Sequence, residues 1–83
     1  MNPKLRQLLL MVHRGMARPH DGEHFTATLQ ACGRFVSALE LHAALPVGLG
    51  AVERWVEGVS RPRTMGRRSV YRALFRLLVE GSP

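Results

Sequence analysis

The side chains able to do chemistry in this chain are few and scattered. Four histidines, one cysteine and six carboxylates are its whole supply of metal ligands, nucleophiles and general bases. His20 and His24 stand one helical turn apart around Asp21, a spacing that would set two imidazoles on one face as a zinc site requires. Zinc sites, however, show tight and repeated Cys/His pairs, and no second pair follows. Pro19 beside His20 reads as linker, so capping or surface polar roles are expected of these histidines, with no metal and no other cofactor. Catalysis needs a nucleophile beside a base, paired carboxylates or a bound cofactor. Scattered acids and a thiol expected in the core offer none of these, so no enzyme activity is expected.

The cations are the chemistry left. Twelve Lys and Arg against six Asp and Glu give a net charge of +6 and a pI near 11.4, an imbalance that favours polyanionic partners such as DNA, RNA or acidic membranes over mere solubility. All the cations but Lys4 are arginine. Guanidinium forks pair bidentately with phosphates and with guanine edges, although a GC-rich genome would also choose Arg over Lys. Arg61 and Arg63 flank Pro62, and Arg67 and Arg68 follow closely. Arg68, Arg72 and Arg76 recur every fourth residue, on one helix face that is either solvated, with an Arg76–Glu80 pair, or turned to phosphate.

The elements that must position these groups are helices. Nothing alternates with period two, and no internal repeat is present. Asn2 and Pro3 open a first helix in which Leu5, Leu8, Leu9 and Val12 form an apolar stripe, with Gly15 expected to end it. Gly15 to Gly22 reads as a linker. Asp21 is placed to cap a second helix from Glu23 to Cys32 or Gly33, with Phe25, Leu29 and Cys32 inward. Ser37 and Glu40 form a capping-box pattern for a third helix carrying Leu41, Ala44 and Leu45 and stopped by Pro46. A turn over residues 46–48 leads to Leu49–Glu57, where Val52, Trp55 and Val56 share a face and Gly58 ends the helix. Thr64 is expected to cap a last helix to Glu80, with Val70, Leu74, Leu77 and Leu78 inward. The expected fold is an all-α, compact bundle of five to six helices. Its expected organisation is an N-terminal helix and linker over residues 1–22 and a second unit over residues 23–83. The chain of 83 residues has room for one small core. Cys32 stands alone, which excludes an internal disulfide and suits a reducing, cytoplasmic setting. The longest apolar run, Leu8 to Val12, is far too short to span a bilayer.

Two short helices joined by a tight turn, Ser37 to Gly58, have the layout that delivers a helix to the major groove. Ser37, Glu40, Leu41, Leu45, Val47, Val52, Trp55, Gly58 and Pro62 fall in register and without a gap on the pattern of the Cro/repressor-type helix-turn-helix, the XRE family. The stretch resembles that family over about a third of the chain. The resemblance implies a sequence-specific DNA-binding transcriptional regulator of phage or bacterial type, commonly a repressor, bound as a homodimer to double-stranded DNA with Leu49–Glu57 in the major groove. It also implies that Trp55 is core rather than a base-stacking platform. The family's base-reading positions correspond here to Leu49, Gly50 and Ala51, none with a side-chain donor. Base readout is therefore expected of Arg54, with Leu49 against a thymine methyl, Gly50 at the same edge and Glu53 either accepting from a cytosine amino group or simply repelling phosphates. Phosphate contacts are expected of Ser37, Arg61, Arg63, Arg67 and Arg68. His42, Pro46, Gly48 and Val56 depart from the pattern. The alternative function is a protein-interaction module gripping RNA polymerase or a partner factor, or acting as an antitoxin, on which reading Leu49, Gly50 and Ala51 form the docking surface. The first helix could pack on the domain, pair with a second subunit or dock on another protein; pairing is the expected role.

Overall fold

The computed structural model describes residues 2–45 and 47–80. Within them the chain forms five helices and no strand: α1 (Pro3–Ala17), α2 (Gly22–Phe35), α3 (Ala38–Ala44), α4 (Leu49–Glu57) and α5 (Thr64–Glu80). The upper end of the expected range of helices is not reached. The stop expected of Pro46 lies outside the described residues.

Three of the five helix starts have a side-chain cap. Asn2 accepts the Lys4 amide at 2.8 Å while Pro3 begins α1, where its missing N–H costs nothing. Asp21 accepts the His24 amide at 3.0 Å at the head of α2, and that donated bond holds its carboxyl below the usual carboxylate range. Ser37 accepts the Glu40 amide at 3.1 Å for α3, one half of the expected reciprocal pairing. Thr64 differs from expectation: it is the first residue of α5, not a cap preceding it.

The ends are less local. Gly15 does not end α1; the helix continues to Ala17, and the Arg18 amide closes it on the carbonyls of Arg14 and Gly15. Gly15 is buried because the ring of Tyr71 lies against its backbone, where a Cβ would fall inside the phenol. The expected linker therefore shrinks to residues 18–21.

α1 packs on α5 and α2, α2 on α4, and α3 on α4 and α5. One core joins all five helices: Leu5, Leu8 and Val12 of α1 belong to the same buried cluster as Phe25, Leu29, Leu41, Val52, Trp55 and Leu74. Leu5, Leu8 and Val12 of the first helix's stripe are thus covered within the chain, while Leu9 is half-buried. At the centre stands Phe25, edge-on to Trp55 at 5.9 Å and to Tyr71 at 5.5 Å, both at 76°, the arrangement aromatic quadrupoles favour. The Cα radius of gyration, 11.4 Å, is close to the value of about 12 Å for a folded chain of this length.

Among the buried polar groups, Thr28, Cys32 and Tyr71 tighten this core or load it. Thr28 donates to the His24 carbonyl one turn back at 2.8 Å. Burial pushes the Cys32 thiol up to about 12, so it is a packed side chain and no nucleophile. Tyr71 is raised to about 12, chiefly by burial; its hydroxyl stands near Thr28, whose influence lowers it, but makes no hydrogen bond of good geometry among the described residues.

Candidate functional site

The candidate site is α4 with the segments that hold it. Val52 and Trp55 are buried and fix the helix on Phe25 and its neighbours, which leaves Gly50, Glu53, Arg54 and Glu57 exposed on the outer edge. Leu49 and Ala51 are half-buried, and Ala51 packs against the core. Both therefore offer less surface to a partner than the sequence suggested. Gly48 gives no side-chain cap, so the first amides of α4 have no side-chain acceptor at that position. Gly58 closes the other end at φ 80. Its amide reaches the Trp55 carbonyl at 3.2 Å and that of Val59 reaches Arg54 at 3.0 Å, the paired bonds of a glycine-terminated helix.

The approach to α4 is pinned by a residue whose role was not read from the sequence. His42 lies in the last turn of α3, and its Nδ1 meets the Val47 carbonyl at 2.8 Å. As the donor of that bond, the imidazole ties the connection between α3 and α4 back onto α3 and holds the angle at which α4 leaves. The signal was a side chain with a ring N–H just ahead of a tight turn, a pattern too common to single out.

Arg54 is the one cation on the outer edge of α4. Its guanidinium folds back along the helix, with Nη1 3.4 Å from where a Cβ on Gly50 would stand. That separation is ordinary van der Waals contact, so Arg54 lies flat over Gly50 and carries its donor fork toward the amino end of the helix. Glu53 and Glu57 are exposed beside it, so this edge carries one cation and two carboxylates.

The expected phosphate contacts divide. Ser37 has its oxygen occupied as the acceptor that starts α3, although its hydroxyl proton is free to donate. Arg63 and Arg68 are exposed. Arg61 is exposed too, but its guanidinium lies across the start of α2, over the backbone of Gly22, where a Cβ would collide with it. Arg67 departs from expectation. It is half-buried, its Nε donates to the Pro62 carbonyl at 2.8 Å, and its Nη1 donates to the Pro19 carbonyl at 3.0 Å. It ties the loop after α4 to the loop after α1 and is an internal clamp. Its two carbonyl partners come from prolines, whose loops have fewer amide donors of their own.

The candidate metal pair is not assembled: His24 Nε2 meets the Met11 carbonyl at 2.7 Å, and among the described residues no three His, Cys, Asp or Glu side chains gather. No described helix is long and apolar enough to cross a membrane. Comparison with family models, with curated proteins and with solved structures finds no match to this chain.

Proposed function

We propose that α3, the connection after it and α4 form a helix-turn-helix of the Cro/repressor type, and that the protein is a DNA-binding transcriptional regulator acting as a repressor. The observation that carries this reading is the disposition of α4. A nine-residue helix is locked from behind by Trp55 and Val52, held at its approach by His42, and left with an outer edge slim enough at Gly50 for close contact with base pairs. Arg54 lies along that edge with its fork toward the amino end, the part of a recognition helix that meets base edges. A bidentate arginine–guanine contact is the pairing this geometry suits. Ser37, Arg63 and Arg68 supply phosphate contacts that set register, with Arg61 joining them if it swings off Gly22. The working form is a homodimer on double-stranded DNA, its two copies of α4 entering major grooves about 34 Å apart.

The two carboxylates beside Arg54 favour a second reading, in which the same edge grips a protein such as RNA polymerase. Phosphates repel Glu53 and Glu57, whereas a basic protein surface would attract them.

Selection from random duplex DNA at about 0.15 M salt, with Arg54→Ala alongside, tests the first reading. A consensus of two half-sites is expected, with Arg54→Ala costing about 1–3 kcal/mol and relaxing one position in each half. A pool without any enriched motif refutes sequence-specific regulation. Glu53→Lys separates the two readings: it strengthens DNA binding if α4 faces DNA and abolishes partner binding if α4 faces protein.

A further inference from the structure

Beyond Arg68, the outer face of α5 does no work in the fold or in the proposed DNA contact. Phe75 and Val79 are 43% and 49% exposed there, although burying them would favour folding. They lie one turn apart beside Met16 of α1, and with Arg72, Arg76 and Glu80 these side chains line a cleft of about 380 Å³. A second shallow cleft continues from Met16 past Arg72 to Arg68. The result is an apolar floor one helix wide, with a row of guanidinium groups along its edge and a single carboxylate at its far end.

That charge pattern chooses among occupants. A second copy of the chain would bring its own arginine row against this one with one glutamate to offset it, so self-pairing through this face is repulsive. Nucleic acid would suit the arginines and would leave Phe75 and Val79 against phosphate. An acidic amphipathic helix satisfies both halves: apolar side chains at i, i+3 or i+4 and i+7 fill the floor, and carboxylates beside them meet Arg72 and Arg76 in bidentate pairs. We infer that the α1–α5 cleft is a docking surface for an acidic amphipathic helix of a partner protein. The inference does not depend on the DNA-binding reading, since of the residues along the cleft only Arg68, at its far margin, belongs to the proposed phosphate contacts.

The experiment uses the full chain and a fluorescent helical peptide of about 20 residues, long enough to cover α5. It carries leucine on one face and glutamate on the other; a second peptide has lysine in place of every glutamate. Polarisation is read at low and at high salt. The acidic peptide is expected to bind at least about tenfold tighter than the basic one, with salt weakening it. Phe75→Asp removes that binding, and the Arg72→Glu/Arg76→Glu double variant reverses the preference, taking the basic peptide. All three positions are exposed, and circular dichroism melts confirm that each variant is folded; Phe75→Ala repeats the test where Phe75→Asp is not. The inference is overturned if no peptide binds at about 1 mM, or if the double variant keeps the preference for the acidic one. It is also overturned if sedimentation finds a dimer that Phe75→Asp splits, or if the double variant loses duplex DNA binding as steeply as peptide binding.

Discussion

Replacing Gly15 by alanine should destabilise this protein, although the same change on an open helix face would stabilise it. In a helix interior, alanine is favoured over glycine by about 1 kcal/mol. Here the added methyl would occupy the volume of the Tyr71 ring. That ring cannot retreat freely, since it is fully buried and braced edge-on by Phe25 at 5.5 Å. Inserting a methyl group into such a site costs about 1–3 kcal/mol, so the net loss centres near 1 kcal/mol and reaches about 2. For a domain of this size that lowers Tm by about 4–8 °C per kcal/mol. Gly50→Ala supplies the control: its methyl would meet only the mobile tip of Arg54 at 3.4 Å, so this substitution in the first turn of α4 should stabilise by up to about 0.5 kcal/mol, the lower end of the mid-helix effect. The assay is urea unfolding followed by circular dichroism, comparing midpoints at equal m. In a Tyr71→Leu background the space opens, and Gly15→Ala should change sign. If Gly15→Ala proves more stable than the parent, or if Tyr71→Leu leaves its effect unaltered, the packing of α1 on α5 is wrong.

Three further outcomes follow from individual contacts. Arg67→Met should cost about 1–2 kcal/mol in urea unfolding, since two carbonyls lose a charged donor, with the half-exposed position reducing the upper end of that range; an unchanged midpoint would mean that the clamp between the Pro62 and Pro19 loops contributes nothing. Tyr71→Phe removes a buried hydroxyl that makes no hydrogen bond of good geometry and should be neutral or stabilising by up to about 1 kcal/mol, so a clear loss in thermal melts would reveal a bond not seen here. Asp21 has its carboxyl held low in the folded chain by the His24 amide. A depressed folded value means that its contribution is present above its ordinary value near 3.8 and fades as pH falls through the folded value; Asp21→Asn keeps a cap oxygen and should flatten the acid limb of the stability curve, measured by melts from neutral pH downward.

Local chemistry made much of this molecule readable in advance. Asn2, Asp21 and Ser37 announced helix starts because a side-chain oxygen satisfies an amide within three residues, and Gly58 announced an end because a left-handed residue is needed there. The spacing of Val52 and Trp55 gave the inward side of α4, and hence which of its residues face out. Where the expectation fell short, the deciding contact crossed the chain. Gly15 looked like a helix stop, yet it is kept small by Tyr71, which was absent from the expected stripe of α5. Arg67 looked like one more surface cation in a basic loop, and its partner at Pro19 lies 48 residues away.

The same division holds for the candidate site. Arg54 was identifiable from sequence as the cation on the outer edge of α4, because helical periodicity assigns faces without reference to the rest of the fold. Its flat course over Gly50, the hold of His42 on Val47 and the withdrawal of Arg67 into a loop clamp are tertiary facts, since each depends on where a flexible side chain finds its partner. The outer cleft of α5 belongs with them. Arg72, Phe75, Arg76 and Val79 could be assigned to one helix face from spacing alone, but only the docking of α1, which sets Met16 beside them, makes that face a cleft. Periodicity and capping act within a turn or two of helix and are written in consecutive residues; the closeness of two helices is written nowhere in either, and the packing of the whole core decides it.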